Sequence, residues 1–286
     1  MTYILYTVLL FNILIIIFKL FEKFKVDNLQ ALIINYFTAA FCGYVFLEKS
    51  MSISKILNSP WIYHAFILGS LFIIVFNFYA YGTQKVGVSI TTIANRMSLV
   101  IPVSAALFFD PNDNVTFLKI IGFILALIGI YLTSTYKGKL SFNKKYIWLI
   151  LFVFVGQGIL DTVFNDSKGL LSQGDDMQFF ISLFLIAGIS GVLILITRSI
   201  SKPSKFQMKN IFWGILFGVP NFFSLFFFLK ALNSPDLNSS VVFPLVSMGV
   251  VVFSALIGIL LFKEKLSLNN WIGILFAAAS IAAFSI

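Results

Sequence analysis

Ten stretches of about 20 mostly apolar residues follow one another along this chain with only short polar segments between them. They run from Tyr3 to Phe21, Leu29 to Leu47, Trp61 to Tyr81, Val88 to Phe109, Phe117 to Ser134, Tyr146 to Phe164, Met177 to Thr197, Ile211 to Leu232, Ser239 to Phe262 and Trp271 to Ile286. A backbone in hydrocarbon must satisfy its own hydrogen bonds, so each stretch is a helix or a strand of a closed barrel. Barrel strands alternate in polarity and run for about ten residues, which leaves helices. The expected fold class is therefore an all-α polytopic membrane protein with about ten transmembrane helices. Composition agrees: 59% of the 286 residues are hydrophobic and only 11% are charged, where a soluble domain carries about a quarter. The first stretch reads as a retained span, because Lys19, Lys23 and Lys25 follow its apolar part and no small-residue cleavage site is present.

The chain has 20 Lys and Arg against 11 Asp and Glu, a formal charge of +9. The basic residues sit in short loops between apolar runs, which is how membrane proteins record their orientation, and this argues against nucleic acid as a partner. Lys49, Lys55, Lys119, Lys168 and Lys230 lie in even-numbered loops, Arg96 lies within a span, and all the others lie in odd-numbered loops. The bias places the odd loops in the cytoplasm and both termini outside. Cys42 is the single cysteine and His64 the single histidine. An internal disulfide is thereby excluded, as is a zinc site of His and Cys ligands, and no cofactor or metal is expected. His64 sits with Trp61 and Tyr63 in the aromatic girdle of an interface.

The two halves resemble each other. With Ala80 placed over Ala231, the same ungapped register aligns Phe76 with Phe227, Ser89 with Ser240, Met97 with Met248, Val100 with Val251, Ile121 with Ile272, Gly122 with Gly273 and Ala126 with Ala277. The boundary falls in the Lys-rich segment Tyr136 to Lys145. This gives a first five-helix repeat over 1–135, a basic linker over 136–145 and a second repeat over 146–286. An odd number of spans per repeat makes the second enter the membrane with opposite orientation. That is the plan of secondary transporters whose substrate site lies near the midplane between repeats.

Polar side chains within the spans mark candidate positions for such a site. At a rise of about 1.5 Å per residue, Asn12, Arg96, Gln157 and Asn221 lie near mid-membrane, with Ser70 and Ser247 at similar depth. Each amide and hydroxyl has two readings, substrate contact or interhelical hydrogen bond. Arg96 keeps its charge at any physiological pH, so it requires an acidic partner, a water-filled cavity or an anionic substrate. Asp161 stands four residues after Gln157 on the same helical face. It reads as a proton-coupling carboxylate, as the counter-ion to Arg96, or as a plain helix-end residue. Pro102, Pro220 and Pro244 interrupt spans 4, 8 and 9. Gly122, Gly129 and Gly273 point to close packing of spans 5 and 10, and the run from Phe222 to Phe228 to core or lipid contact.

With FKEKLS from Phe262 to Ser267, NWIGI from Asn270 to Ile274 and Ala231-Leu232-Asn233 closing span 8, the chain resembles the drug/metabolite transporter superfamily in its ten-helix EamA-type branch. Within FKEKLS, Glu264 before a basic residue matches that family's pattern. The matching region of the first half, DPNDN from Asp110 to Asn114, departs from the pattern. The resemblance implies a monomer or homodimer of two inverted five-helix bundles in a bacterial cytoplasmic membrane, with a cavity lined by spans 1, 3, 4, 6, 8 and 9. It implies transport of a small metabolite, usually outward, with membrane lipid as the other partner. It also implies cytoplasmic termini, against the charge count.

The expected function is secondary transport of a small, anionic or amino-acid-like solute by alternating access, with no enzymatic activity. The alternatives are a polytopic membrane enzyme, which needs a nucleophile with its base or a metal constellation, and a lipid scramblase or accessory protein that moves no solute. If the charge bias governs insertion, a reporter fused after Ile286 will be active only on the outer side, and labels placed in the Tyr136 to Lys145 loop will be shielded from outside reagents. Cytoplasmic activity of the fusion refutes the charge-based orientation.

Overall fold

The computed structural model describes residues 2–47, 52–101, 117–133, 135–136, 139–140, 143–172, 174–201, 206–232 and 239–284. Within them the long helices are α1 (Thr2–Lys23), α2 (Asn28–Val45), α3 (Ile62–Lys85), α4 (Val88–Met97) and α5 (Phe117–Thr133). They continue with α6 (Ile147–Lys168), α7 (Asp176–Ser201), α8 (Met208–Leu232), α9 (Ser239–Leu260) and α10 (Leu268–Phe284). A short helix, Ile53–Leu57, lies between α2 and α3. After α5, Thr135–Tyr136 pairs antiparallel with Lys139–Leu140, and a single 3₁₀ turn covers Lys144–Tyr146. The helices α1, α3, α6, α7 and α8 are long and apolar enough to cross a bilayer, and shorter apolar helices run through α5, α9 and α10. The chain is an all-helical integral membrane protein.

Helix boundaries fall within a few residues of the apolar stretches except in the fourth, which was expected to run as one helix from Val88 to Phe109. The helix ends at Met97, and Ser98 and Leu99 form a turn before helical geometry resumes at Val100. The cause is local. The Asn95 carbonyl, which the Leu99 N–H would serve in a regular helix, accepts the Ser98 hydroxyl instead, at 2.5 Å. The Leu99 N–H turns to the Arg96 carbonyl. The natural partner of the Ser98 carbonyl is residue 102, a proline with no N–H, and Ile101 N–H bonds that carbonyl at 2.8 Å in its place. Pro102 itself lies outside the described residues. Pro220 and Pro244 sit inside α8 and α9, each assigned as one helix.

The chain divides into two compact units, each drawing on both halves of the sequence. One holds Met1–Lys19, Phe78–Asp161 and Ser224–Ile286. Here α5 lies along α10, with glycine facing glycine: a Cβ on Gly129 would stand 3.1 Å from the Gly273 carbonyl oxygen. Ser280 Oγ donates to the Gly122 carbonyl at 2.6 Å. Asn270 Nδ2 donates to the carbonyls of Leu132 and Thr133, tying the start of α10 to the end of α5. The expected close approach of spans 5 and 10 at their glycines is thus present. A core of Ile93, Met97 and Val100 from the α4 segment packs on Val251 and Ala255 of α9 and on Ile274 and Ala277 of α10.

The other unit holds Leu20–Asn77 and Thr162–Phe223. It is built on α2, which lies along α7 and meets α8 at small residues. The α2–α8 contact alternates polar pairs with glycines. Asn210 Nδ2 donates to Gln30 Oε1 at 2.6 Å near one end and Asn221 Nδ2 to Asn35 Oδ1 at 3.0 Å farther along, with Gly214 and Gly218 between. Arg198 forks both oxygens of Asp27, the N-cap of α2, at 3.1 and 2.8 Å. Trp61 is fully buried edge-on against Phe179.

A Cβ at Gly218 would lie 2.6 Å from Thr38 Cβ and 2.7 Å from the Asn35 carbonyl oxygen, and neither can yield without moving α2. Gly218→Val should therefore destabilise the protein by about 1–3 kcal/mol, the usual cost of overpacking. The fall should be visible as a lower Tm in detergent. At Gly169 the nearest atom to an added Cβ is 3.6 Å away, and Gly169→Ala should leave Tm unchanged.

Candidate functional site

Four polar side chains of α4, its following turn and α6 form one hydrogen-bonded ring in the first unit. Asn95 Nδ2 donates to Gln157 Oε1 at 2.9 Å, and Gln157 Nε2 donates to Asp161 Oδ1 at 2.8 Å. Ser98 Oγ stands 3.2 Å from Asp161 Oδ2, and the same hydroxyl reaches the Asn95 carbonyl. The helical spacing of Gln157 and Asp161 puts both on one face of α6. The break in α4 turns Ser98 toward them. Close approach of the two elements is possible because Gly158 has no side chain: a Cβ there would fall 2.4 Å from Ile101 Cδ1. Gln157 and Asp161, both expected as site residues, are thus joined by Asn95 and Ser98, which were not. Asn95 and Ser98 are buried, while Gln157 and Asp161 are half-buried.

Arg96 lies between Asn95 and Met97, near the C-terminal end of α4. Its guanidinium stacks on the Phe11 ring of α1, 4.4 Å from the centroid, a cation–π contact that offsets part of the cost of removing the charge from water. Its Nε is buried without a hydrogen-bond partner, and among the described residues the guanidinium makes no ion pair. Asp161 interacts with Arg96 electrostatically but accepts its hydrogen bonds from neutral groups, Gln157 and Ser98. Asp161 is thus a through-space counter-charge to Arg96, not its hydrogen-bonded partner. The reading of Asp161 as a plain helix-end residue is corrected, since α6 continues to Lys168. Beside Arg96, the Tyr79 hydroxyl pairs with Thr92 Oγ1 at 3.1 Å.

The remaining expected site residues separate. Asn12, in the same unit, is 3% exposed; its Nδ2 donates to the Val8 carbonyl of its own helix, and its Oδ1 is buried without a partner. Ser247 is buried on α9, next to Met248, which packs against the α4 core. Ser70 and Asn221 belong to the second unit. Ser70 Oγ faces Ser190 Oγ of α7 at 3.4 Å, and Asn221 pairs with Asn35 of α2. Both fit the interhelical-bond reading. His64, placed in an aromatic girdle, bonds Asp166 Oδ2 through Nε2 at 2.7 Å.

No family model matches the chain. An uncharacterized protein of Haemophilus influenzae is 30% identical over 278 residues, an alignment covering 93% of this chain and 91% of that protein. The chain belongs to that protein's family. A solved structure titled only "Crystal structure of protein" superposes on 99% of this chain and 94% of its own, with a TM-score of 0.61 and 13% identity. The likeness is one of fold. Within this family's fold, Glu264 has a role that its place in FKEKLS does not reveal. Beyond the end of α9 the chain turns at a left-handed Lys263 (φ 53°), with Lys263 N–H bonded to the Ile259 carbonyl and Glu264 N–H to the Gly258 carbonyl. The turn carries the Glu264 carboxylate to the first turn of α4. There it accepts from Val88 N–H, Ser89 N–H and Ser89 Oγ, at 2.5, 3.2 and 2.8 Å. An acid at a helix N-terminus satisfies orphan N–H groups and the helix dipole together.

Only the spacing from Glu264 to the next apolar run was available in the sequence. The separation of 176 positions from Val88 to Glu264 hid the contact. Replacing Glu264 with Ala removes the cap, and the loss should be about 1–2 kcal/mol, at the upper end for helix caps. Ser89→Ala, which deletes one bond of three, should cost less. Thermal unfolding of both variants in the same detergent checks the order, and an unchanged Tm for Glu264→Ala would contradict it.

Proposed function

We propose that this protein is a secondary transporter of a small anionic metabolite, working by alternating access with Arg96 as the charged contact of its site. The observation that carries the reading is the state of Arg96. A permanent cation well inside an apolar run is held by an aromatic face and left without an ion-pair partner among the described residues. A guanidinium stacked on a ring keeps its edge free, and that edge matches a carboxylate or phosphate with two parallel hydrogen bonds. Structural stability alone gives no reason to leave such a group unpaired.

The partition of the chain also supports the two-repeat plan. Cuts between compact units fall after Lys19 and Asn77 in the first half and after Asp161 and Phe223 in the second, at corresponding places in the helix order. Both units are thus made of equivalent pieces from each half, as an inverted repeat requires. With the motifs around Glu264 and Asn270, this favours placing the family within the EamA-type branch of the drug/metabolite transporters, in a bacterial cytoplasmic membrane.

The test is reconstitution in liposomes against a panel of radiolabelled carboxylates, phosphomonoesters, amino acids and neutral sugars. At least one anion should move and the neutral sugars should not. Arg96→Lys keeps the charge but loses the planar fork, and Arg96→Gln loses both. Transport should fall about tenfold or more in the first, corresponding to about 1.5–3 kcal/mol for a hydrogen bond to a charged group, and vanish in the second, while both proteins are recovered folded. A fully active Arg96→Gln protein sinks the assignment.

A further inference from the structure

Where α1 passes into α2, in the second unit, the chain exposes a patch centred on Phe24. Helix α1 ends in a Schellman arrangement, with Val26 N–H bonded to the Phe21 carbonyl and Lys25 N–H to the Glu22 carbonyl. The residue in its left-handed position is Lys25, at φ 51°. Glycine is the usual occupant there, because a Cβ in that conformation costs energy. Three lysines surround Phe24. Lys23 holds its Nζ 5.8 Å from the centre of the Phe24 ring, and Lys25 follows Phe24 in the chain. Lys209, at the start of α8, donates from Nζ to the Phe24 carbonyl at 3.3 Å. The Phe24 ring lies against Trp213 of α8 with 4.9 Å between centroids, and Trp213 meets Phe212 edge-on. All three lysines, Phe24 and Phe212 are exposed.

The charge of this patch is not balanced within it. Asp27 is already neutralised by the Arg198 fork, and among the described residues none of the three lysines makes an ion pair. Glu22 offsets one of them at most, so the patch keeps a net positive charge. Below it α8 runs on as a membrane span, and the exposed side chains Phe212, Leu216 and Val219 follow one another at helical spacing down a single face. Cations at the helix end, an aromatic pair beneath them and an apolar track below that are the three layers of a lipid molecule: phosphate, glycerol backbone and acyl chain. A free anion would use only the first. We propose that this patch binds one anionic glycerophospholipid, its phosphate held by Lys23, Lys25 and Lys209 and one acyl chain lying along Phe212, Leu216 and Val219. The Phe24 carbonyl occupies one N–H of Lys209 and holds the ammonium in place, which leaves two for phosphate oxygens. The site requires only that the protein be embedded in a bilayer, and it stands independently of what the protein transports.

Trp213 reports on the site directly. Bromine on a lipid acyl chain quenches an indole that it touches, and the share of quenching carried by Trp213 is the part that Trp213→Phe removes. In phosphatidylcholine bilayers doped with brominated lipid, that share should reach half its maximum at a mole fraction about tenfold or more lower for phosphatidylglycerol than for phosphatidylcholine. The preference should shrink at high salt. Lys25→Gly should reduce it about fivefold, the effect of one lysine beside an anionic headgroup. The same change should not lower Tm, since glycine suits the left-handed position. Changing Lys23, Lys25 and Lys209 together to Gln should abolish the preference. Changing Lys144 and Lys145 to Gln removes two exposed charges from the first unit and should leave it intact. Soluble glycerophosphoglycerol should not displace the brominated lipid. Equal quenching of the native protein by the two lipids overturns the proposal. So does a loss in the Lys144 and Lys145 variant as large as in the triple variant, which would mean general surface charge, and so does displacement by the soluble headgroup, which would mean a free-anion site.

Discussion

Hydrocarbon offers no hydrogen-bond partner, so every polar group of this chain that enters it must be satisfied by the chain itself. Much of the structure follows from that requirement. Backbone groups are satisfied within helices, and side chains in the spans pair across helices or turn back on their own carbonyls. Asn221 finds Asn35, Ser280 finds the Gly122 carbonyl, and Asn270 closes the end of α5. The same rule governs the helix ends, where Glu264 serves three donors at the start of α4 and Asp27 caps α2 while holding Arg198. The exceptions among the described residues are Arg96 Nε, Asn12 Oδ1 and Thr91 Oγ1 in the first unit, and Asn35 Nδ2, the Tyr36 hydroxyl, Trp61 Nε1 and His64 Nδ1 in the second, all buried without a partner. Unpaired buried polar groups cost stability, and in the first unit they occur on the two helices that meet at the Phe11 ring.

Glycine placement answers a different requirement. Apolar side chains gain nothing by leaving lipid for one another, so helices in a membrane associate through close van der Waals contact and a few hydrogen bonds. Gly129 against Gly273 brings α5 to α10, and Gly214 with Gly218 brings α8 to α2. The polar pairs sit beside these approaches: Ser280 and Asn270 along the first, Asn210 and Asn221 along the second. Close backbones make short amide bonds reachable, and the bonds in turn fix the register of the helices.

The helices were legible in the sequence because a span is defined by length and polarity, which are local properties. The fourth was misread because two residues outweighed its apolar pattern, the Ser98 hydroxyl and the missing N–H of Pro102. Their combined effect depends on the backbone bonds of one particular turn. Site residues were legible where chemistry alone singles them out. A lone arginine and a lone aspartate in apolar runs are conspicuous whatever surrounds them. Asn95 and Ser98 were not conspicuous, since a polar residue beside a charged one looks like part of the same hydrophilic patch until α6 is laid against it. Asn221 and Ser70 were grouped with Arg96 by depth alone, and depth does not say which neighbour a side chain faces. Contacts such as Val88 with Glu264 have no local signal at all.

The short α4 segment is held very differently at its two ends. Its first turn is fastened through Glu264 to the loop between α9 and α10, and its flank is packed against both helices by Ile93 and Met97. At the other end the regular ladder of backbone bonds stops at Ser98. A rod clamped along most of its length and weakened at one joint bends at the joint. Any flexing of this element is therefore concentrated one turn or less from the Arg96 guanidinium, so that a small angular change alters what lies beside the charge while the charge itself stays with the anchored part of the helix.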